Sequence, residues 1–181
     1  MKFMKELGNG MKNHELIFLT GMMGAGKTKV GEKLAQSINY DWIDLDKVIE
    51  KRYQKKIKDI FIDSGEKFFR EIERKQLEDL FKVKKTVISL GGGALSDDFI
   101  VSEIKKKGIL IYLQCFSSIL STRLSIEEKP LLFGLSKNQV LKKLRKVQSQ
   151  RKEKYKQAHY TVHVSKMTEN EVVRFILDEI L

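Results

Sequence analysis

Hydrophobic and polar positions along this chain follow two periods, one typical of strands and one typical of helices. Residues 15–19 form a short apolar run that suits a buried strand, and Val30, Leu34, Ala35 and Ile38 then recur at helical spacing. Further runs predict strands at residues 42–43, 86–90, 109–113 and 160–164. Because strands and helices alternate to the end of the chain, the pattern predicts an α/β fold with a doubly wound parallel sheet.

The first predicted strand leads directly into a glycine-rich loop that fits G-x-x-x-x-G-K-[ST]. Glycines let the backbone approach an anion, and the N-terminus of the following helix favours negative charge. This pattern is the phosphate-binding loop of nucleoside-triphosphate enzymes. Lys27 is expected to reach the β- and γ-phosphates, and the Thr28 hydroxyl is expected to ligate Mg²⁺. The residues expected to bind the nucleotide here are Gly21, Met22, Met23, Gly24, Ala25, Gly26, Lys27, Thr28 and Lys29.

Two carboxylates, Asp44 and Asp46, follow the second predicted strand. They point the same way if the strand geometry continues, and ligands of open α/β sheets bind at that edge. One could hold metal-bound water while the other accepts a hydroxyl proton. The alternative is that Asp46 only caps the next helix.

Two later stretches leave functional and structural interpretations open. Residues 57–61 predict a short apolar segment, 63–65 a turn and 68–81 a long amphipathic helix, on which Arg70 and Glu73 can pair. Such pairs are usually solvent-exposed, and spacing alone indicates nothing more. Residues 91–93 are three consecutive glycines after a predicted strand, which indicates close backbone approach or a flexible turn.

The helical pattern stops between residues 124 and 135, where the only proline of the chain, Pro130, occurs. Arg123 and Lys129 bracket this loop, which is typical of a lid over a phosphate site or of an ordinary surface connection. Ser136 and Thr168 begin two capping boxes, and Ser96 is predicted to cap a helix.

The length, cysteine content and charge of the chain limit which classes of protein it can belong to. A chain of 181 residues with one cysteine, Cys115, suits one domain in a reducing compartment. Neither a signal peptide nor a membrane-length apolar run is visible, so we expect a cytoplasmic protein. The net charge of +11 could attract nucleic acid or small anions, or simply reflect solvated helices. Since no RNA-binding motif appears, we expect no nucleic-acid partner; the scattered histidines predict no zinc site.

The motifs taken together resemble the shikimate kinases over nearly the whole chain. They are the glycine-rich loop, Asp44-Leu45-Asp46, Phe69-Arg70 with Glu73, Ser89 to Ala94, Pro130-Leu131-Leu132 and Arg151. The resemblance implies a three-layer P-loop kinase fold with a five-stranded parallel sheet in the order 2-3-1-4-5. It also implies ATP- and Mg²⁺-dependent phosphorylation of the shikimate 3-hydroxyl, in aromatic amino-acid biosynthesis. We expect a monomer, with residues 1–13 a flexible extension and 14–181 a single domain whose lid spans about 124–136.

The resemblance also implies roles for individual residues. Asp46 would hold and activate the 3-hydroxyl, and Asp44 and Thr28 would hold Mg²⁺. Arg123 would pack on adenine, while Lys27 and Lys129 would neutralise the γ-phosphate. The residues implied to bind shikimate are Asp46, Phe61, Phe69, Arg70, Glu73, Gly91, Gly92, Gly93 and Arg151.

One position departs from the family pattern in the lid, because Lys129 stands where arginine is usual. Lysine keeps the charge but loses the planar fork. Two alternatives stay open: a gluconate or nucleotide kinase of similar architecture, and a P-loop protein that binds nucleotide as a regulatory or RNA-associated module.

Overall fold

A computed structural model describes residues 15–124, 132 and 134–181. In these residues five parallel strands form one sheet in the order β2-β3-β1-β4-β5, flanked by helices, which confirms the predicted fold class and strand order. The strands are β1 Leu16–Thr20, β2 Asp41–Asp44, β3 Thr86–Ser89, β4 Ile109–Gln114 and β5 Tyr160–His163.

Strand β1 lies at the centre of the sheet, and all five of its side chains are buried. It pairs with β3 on one side and β4 on the other, so that Phe18 lies beside Ile88 and Leu110. Residues on both faces of a parallel sheet are covered, which explains why β1 is continuously apolar rather than alternating. The glycine-rich loop therefore starts from the central, fully buried strand.

Seven α-helices connect and cover the described strands. Three begin at side-chain caps, Asp44, Asp97 and Thr168, and a capping box at Ser136 starts a fourth. The two predicted capping boxes are thus confirmed, whereas Ser96 lies in a 3₁₀ turn and Asp97 is the cap. The helices are α1 Lys27–Ile38, α2 Leu45–Tyr53, α3 Ile57–Leu80, α4 Asp98–Lys107, α5 Ser117–Arg123, α6 Lys137–Tyr155 and α7 Glu169–Glu179.

The predicted helix at residues 68–81 is confirmed as far as Leu80. The prediction of a separate apolar segment at 57–61 and a turn at 63–65 was wrong, because these residues belong to the same helix. Helix α3 begins at Ile57 and is interrupted only at Gly65, whose φ of 78° and ψ of 173° are not helical. Asp63 and Ser64, predicted as turn residues, are helical. One glycine in a conformation that other residues avoid breaks the helix without ending it.

Two predicted features lie outside the described residues: the extension at 1–13, and Lys129 with most of the lid. None of the helices in the described ranges is long and apolar enough to cross a membrane. Within those same ranges, histidine, cysteine, aspartate and glutamate form no group of three suited to a metal ion.

Candidate active site

An open cavity of about 1120 Å³ runs along the carboxyl ends of the strands. Residues that follow β1, β2, β3 and β5 line it, together with side chains from α3 and α6. This is the edge at which open α/β sheets bind ligands. The cavity contains every described residue predicted for the site except the buried loop residues Gly21 and Met22, which lie beneath its wall.

The glycine-rich loop turns tightly between β1 and α1. Gly21 has a φ of 150°, and a Cβ there would lie 2.6 Å from the Leu113 carbonyl oxygen, so only glycine fits. Lys27, the first residue of α1, donates from Nζ to the carbonyls of Gly21 and Met22 at 3.0 and 3.1 Å. Its ammonium therefore lies over the loop, beside the backbone that would surround a phosphate.

Thr28, which follows Lys27, forms a hydrogen bond with Asp44 at the end of β2. The Thr28 hydroxyl donates to Asp44 Oδ2 at 2.8 Å, and the Lys47 N–H donates to Asp44 Oδ1 at 3.3 Å. Asp44 is thus the N-cap of α2, and strand β2 ends at this residue. The strand geometry therefore does not continue to Asp46. Asp46 lies in the first helical turn instead, yet both carboxylates line the cavity.

A hydrogen-bonded chain that the sequence analysis missed ties the loop to the sheet. Trp42 Nε1 donates to Ser89 Oγ at 3.2 Å, and Ser89 Oγ donates to the Lys27 carbonyl at 3.0 Å. The first turn of α1 is therefore held to β2 and β3. Neither residue had a pattern that would have indicated this contact.

Asp46 and Glu73 both approach Gly91. A Cβ on Gly91 would lie 2.8 Å from Asp46 Oδ1 and 2.7 Å from Glu73 Oε1. The missing side chain of Gly91 leaves room for both carboxyl groups, which supports close approach to the backbone over a flexible turn. Asp46 remains partly exposed to the cavity.

The pairing of Arg70 with Glu73 differs from the exposed pair that their spacing indicated. Arg70 Nη1 donates to Glu73 Oε2 at 2.5 Å, and the Glu73 residue is only 3% exposed. Its other oxygen, Oε1, has no hydrogen-bond partner among the described residues. Burial raises the pKa of Glu73 to about 7, although the Arg70 guanidinium acts in the opposite direction.

Two aromatic rings and a second arginine complete this end of the cavity. Phe61 and Phe69, on either side of the Gly65 break, have ring centroids 4.7 Å apart, and the Arg70 guanidinium lies 5.1 Å from the Phe69 centroid. Arg151 of α6 approaches from the other side, since a Cβ on Gly92 would lie 3.0 Å from its Nη1. Two guanidinium groups therefore converge on the glycine segment.

Tyr155 lies behind this segment, and the sequence analysis missed it. Its hydroxyl donates to the Gly92 carbonyl at 2.9 Å and lies 3.6 Å from Met22 Sδ. Its position four residues after Arg151, on the same helical face, was the available signal.

The far end of the cavity is formed by Arg123, Met167 and Thr168. Arg123 is the last residue of α5 and is exposed, with its Nη1 4.0 Å from Cys115 Sγ. Thr168 caps α7, whose Glu169 pairs with Lys29 at 3.6 Å. Residues from opposite ends of the chain thus share one wall beside the glycine-rich loop.

A phosphate-binding loop and a pocket with two arginines therefore share one cavity, and comparison with known proteins assigns the arrangement to a family. The family model described as shikimate kinase matches residues 23–181. The chain belongs to the shikimate kinase family. A shikimate kinase of Chlorobium phaeobacteroides is 40% identical over 158 residues, covering 84% of this chain and 83% of the relative. One of a Sulfurihydrogenibium species is 36% identical, covering 94% and 98%.

Solved shikimate kinase structures share the whole architecture. The enzyme of Acinetobacter baumannii, in complex with shikimate, superimposes with a TM-score of 0.85 at 30% identity, covering 95% of this chain and 94% of that one. The enzyme of Bacteroides thetaiotaomicron gives a TM-score of 0.83 at 30% identity, covering 89% and 95%. The resemblance inferred from sequence motifs is confirmed.

Proposed function

We propose that this chain transfers the γ-phosphoryl group of ATP to the 3-hydroxyl of shikimate, releasing ADP and shikimate 3-phosphate. The observation that carries the proposal is one cavity in which a phosphate-binding loop adjoins a pocket with a carboxylate and two guanidinium groups. Family membership supports the same reaction and its place in aromatic amino-acid biosynthesis.

Asp46 is the group proposed to act on the acceptor. It lies beside Gly91 and lines the same cavity as the glycine-rich loop, so it can accept the hydroxyl proton and orient the oxygen toward the phosphoryl group. Partial exposure of Asp46 to the cavity supports this role, because a substrate can reach the carboxylate.

Arg70 and Arg151 are proposed to bind the shikimate carboxylate between them. A guanidinium presents two parallel N–H groups, which suits bidentate pairing with a carboxylate. Gly91, Gly92 and Gly93 form the floor, and the Phe61 and Phe69 rings form a wall beside the cyclohexene ring. Glu73 holds Arg70 in place through its 2.5 Å contact.

The glycine-rich loop, Gly21 to Lys29, is proposed to hold the triphosphate through backbone N–H groups, with Lys27 next to the transferring group. Thr28 and Asp44 fit a magnesium site, because both offer oxygen ligands 2.8 Å apart and Mg²⁺ takes few protein ligands beside phosphates and water. Bound there, Mg²⁺ would neutralise developing negative charge on the phosphoryl oxygens. Arg123 is proposed to pack on the adenine.

The proposed setting is a monomer in the cytoplasm, with shikimate as partner and no nucleic acid or membrane. The absence of heptads and of an RNA-binding motif in the sequence supports it. We also propose that residues 14–181 act as one domain and that Lys129, in the lid, enters the closed site.

The deciding experiment offers shikimate, gluconate and nucleoside monophosphates in parallel with MgATP and measures ADP release. We expect turnover with shikimate alone. Turnover with another acceptor instead would refute the proposed acceptor pocket. ATP binding without turnover on any of them, together with salt-dependent RNA binding, would favour a binding module.

A further inference from the structure

Tyr155 contacts the glycine segment, the glycine-rich loop and strand β4, but it does not line the cavity itself. It ends helix α6, one turn after Arg151, and is only 2% exposed. Its ring stacks on Tyr112 of β4 with centroids 4.5 Å apart and planes 16° apart. The stacking holds the phenol ring, so the position of its hydroxyl is well determined.

The hydroxyl of Tyr155 holds the middle carbonyl of the glycine segment. The carbonyls of Gly91 and Gly93 accept from N–H groups of Ala94 and Ser96 within the same turn. The Gly92 carbonyl instead accepts from Tyr155, at 2.9 Å, across 63 positions of sequence. The Tyr155 hydroxyl also lies 3.6 Å from Met22 Sδ, so it contacts the glycine-rich loop as well.

The phenol of Tyr155 donates to the Gly92 carbonyl. Burial raises the pKa of Tyr155 to about 12, although the nearby Arg151 guanidinium acts in the opposite direction. The hydroxyl therefore keeps its proton at neutral pH and can donate it to Gly92. Arg151 lies beside the same residue, because a Cβ on Gly92 would lie 3.0 Å from Arg151 Nη1.

The bond to Gly92 also orients the next N–H group. In a planar trans peptide the carbonyl of one residue and the N–H of the next point in opposite directions. Tyr155 lies behind the glycine segment, whereas Gly92 and Gly93 line the cavity. Fixing the Gly92 carbonyl toward Tyr155 therefore turns the Gly93 N–H away from Tyr155, toward the cavity.

We propose that Tyr155 is a positioning residue for the acceptor carboxylate. By fixing the Gly92 carbonyl, its hydroxyl holds the Gly93 N–H in alignment with the adjacent Arg151 guanidinium. The inference rests on the proposed function, because it takes these two groups as shikimate ligands. Neither Tyr155 nor its hydroxyl touches the substrate. Its effect is on the binding of the acid end of shikimate rather than on phosphoryl transfer.

The test is Tyr155→Phe, which keeps the stacked ring and removes only the hydroxyl. We expect the KM for shikimate to rise about tenfold, the scale of one lost hydrogen bond to a charged network, while kcat and the KM for MgATP change less than about twofold. Tyr112→Phe is the matched control, since it removes the hydroxyl of the stacked partner ring and leaves the hydrogen bond from Tyr155 to Gly92 in place. We expect an unchanged KM for shikimate in that variant.

A second measurement separates positioning from general loss of stability. Shikimate affinity is measured by calorimetry for Arg151→Lys with and without Tyr155→Phe. If the Gly93 N–H and the Arg151 guanidinium hold one carboxylate between them, Tyr155→Phe weakens binding much less once the guanidinium is gone, whereas independent effects would add.

An unchanged KM for shikimate in Tyr155→Phe, equal losses for both substrates, or additive effects in the double variant would overturn the inference. Each of these results requires that the wild-type protein turns over shikimate. Absence of turnover in the wild-type protein would instead refute the proposed function.

Discussion

Asp46 and Glu73 are two carboxyl groups that face the same glycine, Gly91, but their surroundings differ. Asp46 is partly exposed to the cavity, whereas Glu73 is buried and bonded to Arg70. An accessible carboxylate can meet a substrate hydroxyl, and a buried one is suited to hold another side chain. The difference in burial assigns different roles to the two groups.

Asp46→Asn keeps the shape of the side chain but removes its ability to accept a proton. We expect kcat to fall by about 10²- to 10⁴-fold, the usual contribution of a positioned general base, with MgATP affinity changed less than about threefold. Steady-state kinetics and nucleotide titration measure both effects. Asp41→Asn, at the exposed opposite end of β2, is the control. An unchanged kcat in Asp46→Asn would remove this residue from the chemistry.

Glu73 is expected to make stability depend on pH. Burial raises its pKa to about 7 from an ordinary 4.5, so between these values the folded protein holds a proton that the unfolded chain has released. The free energy of unfolding should therefore fall as pH rises from about 4.5 to about 7, by on the order of 3 kcal/mol, and level off above.

Urea denaturation at several pH values checks this expectation. The side chain in Glu73→Gln is neutral at every pH, so this variant should lack the fall in the free energy of unfolding that Glu73 causes between about pH 4.5 and 7. Glu78→Gln removes an exposed glutamate of the same helix, paired with Arg74, and should retain the slope. Equal pH dependence in the wild-type protein and Glu73→Gln would contradict the assignment.

At the scale of elements, the break in α3 connects local backbone geometry to the acceptor pocket. Phe61 precedes Gly65 and Phe69 follows it, and their rings meet at 4.7 Å. Arg70 and Glu73 lie on the second half of the same helix. The direction of the chain at Gly65 therefore sets how the aromatic wall faces the two arginines.

Gly65→Ala should strain this break. No atom lies within 4 Å of the added Cβ, so the cost comes from the backbone conformation alone. We expect the free energy of unfolding to fall by about 1–3 kcal/mol and the KM for shikimate to rise. Denaturant unfolding and kinetics of Gly65→Ala beside Ser64→Ala, an exposed neighbour, measure the two effects. Equal free energies of unfolding for Gly65→Ala and Ser64→Ala would show that the backbone at position 65 accepts a side chain without strain.

Lys129 lies outside the described residues, and its proposed role comes from the sequence. We expect Lys129→Ala to lower kcat about tenfold or more, because a positive charge that neutralises the γ-phosphoryl group is lost, while Lys129→Arg retains activity. Lys137→Ala, an exposed lysine at the start of α6, is the control. A kcat for Lys129→Ala equal to that of the control would exclude Lys129 from the closed site.

The whole molecule carries a net charge of +11, while both proposed substrates are anions. A positively charged protein attracts anions, but dissolved salt screens this attraction. The screening length is about 10 Å at 0.1 M salt and about 3 Å at 1 M. Much of the charge lies on exposed lysines away from the cavity, so it affects encounter more than chemistry.

Raising salt from about 0.05 to 0.5 M should therefore lower kcat/KM for MgATP and shikimate several-fold, with kcat nearly constant. Kinetics at fixed free Mg²⁺ measure this, and an osmotically matched sucrose series is the control. A salt-independent kcat/KM would show that the net charge has no part in substrate capture.

The sequence by itself determined the fold class, the strand order through the family resemblance, the glycine-rich loop and the two capping boxes. Apart from the strand order, these features depend on residues close together in the chain, whose spacing reflects helix and strand periods directly. The same locality explains the errors: Ser96 and Asp97 are neighbouring cap candidates, and Gly65 signals a turn whether or not a helix continues beyond it.

Only the tertiary structure decided which polar groups are buried and what they contact. Spacing described Arg70 and Glu73 as a surface pair, but packing of α3 against the glycine segment buries Glu73. Tyr155 bonds to a carbonyl 63 positions away, and Trp42 reaches the loop through Ser89. Burial and contacts between distant segments arise when elements pack together, so no local pattern along the chain contains them.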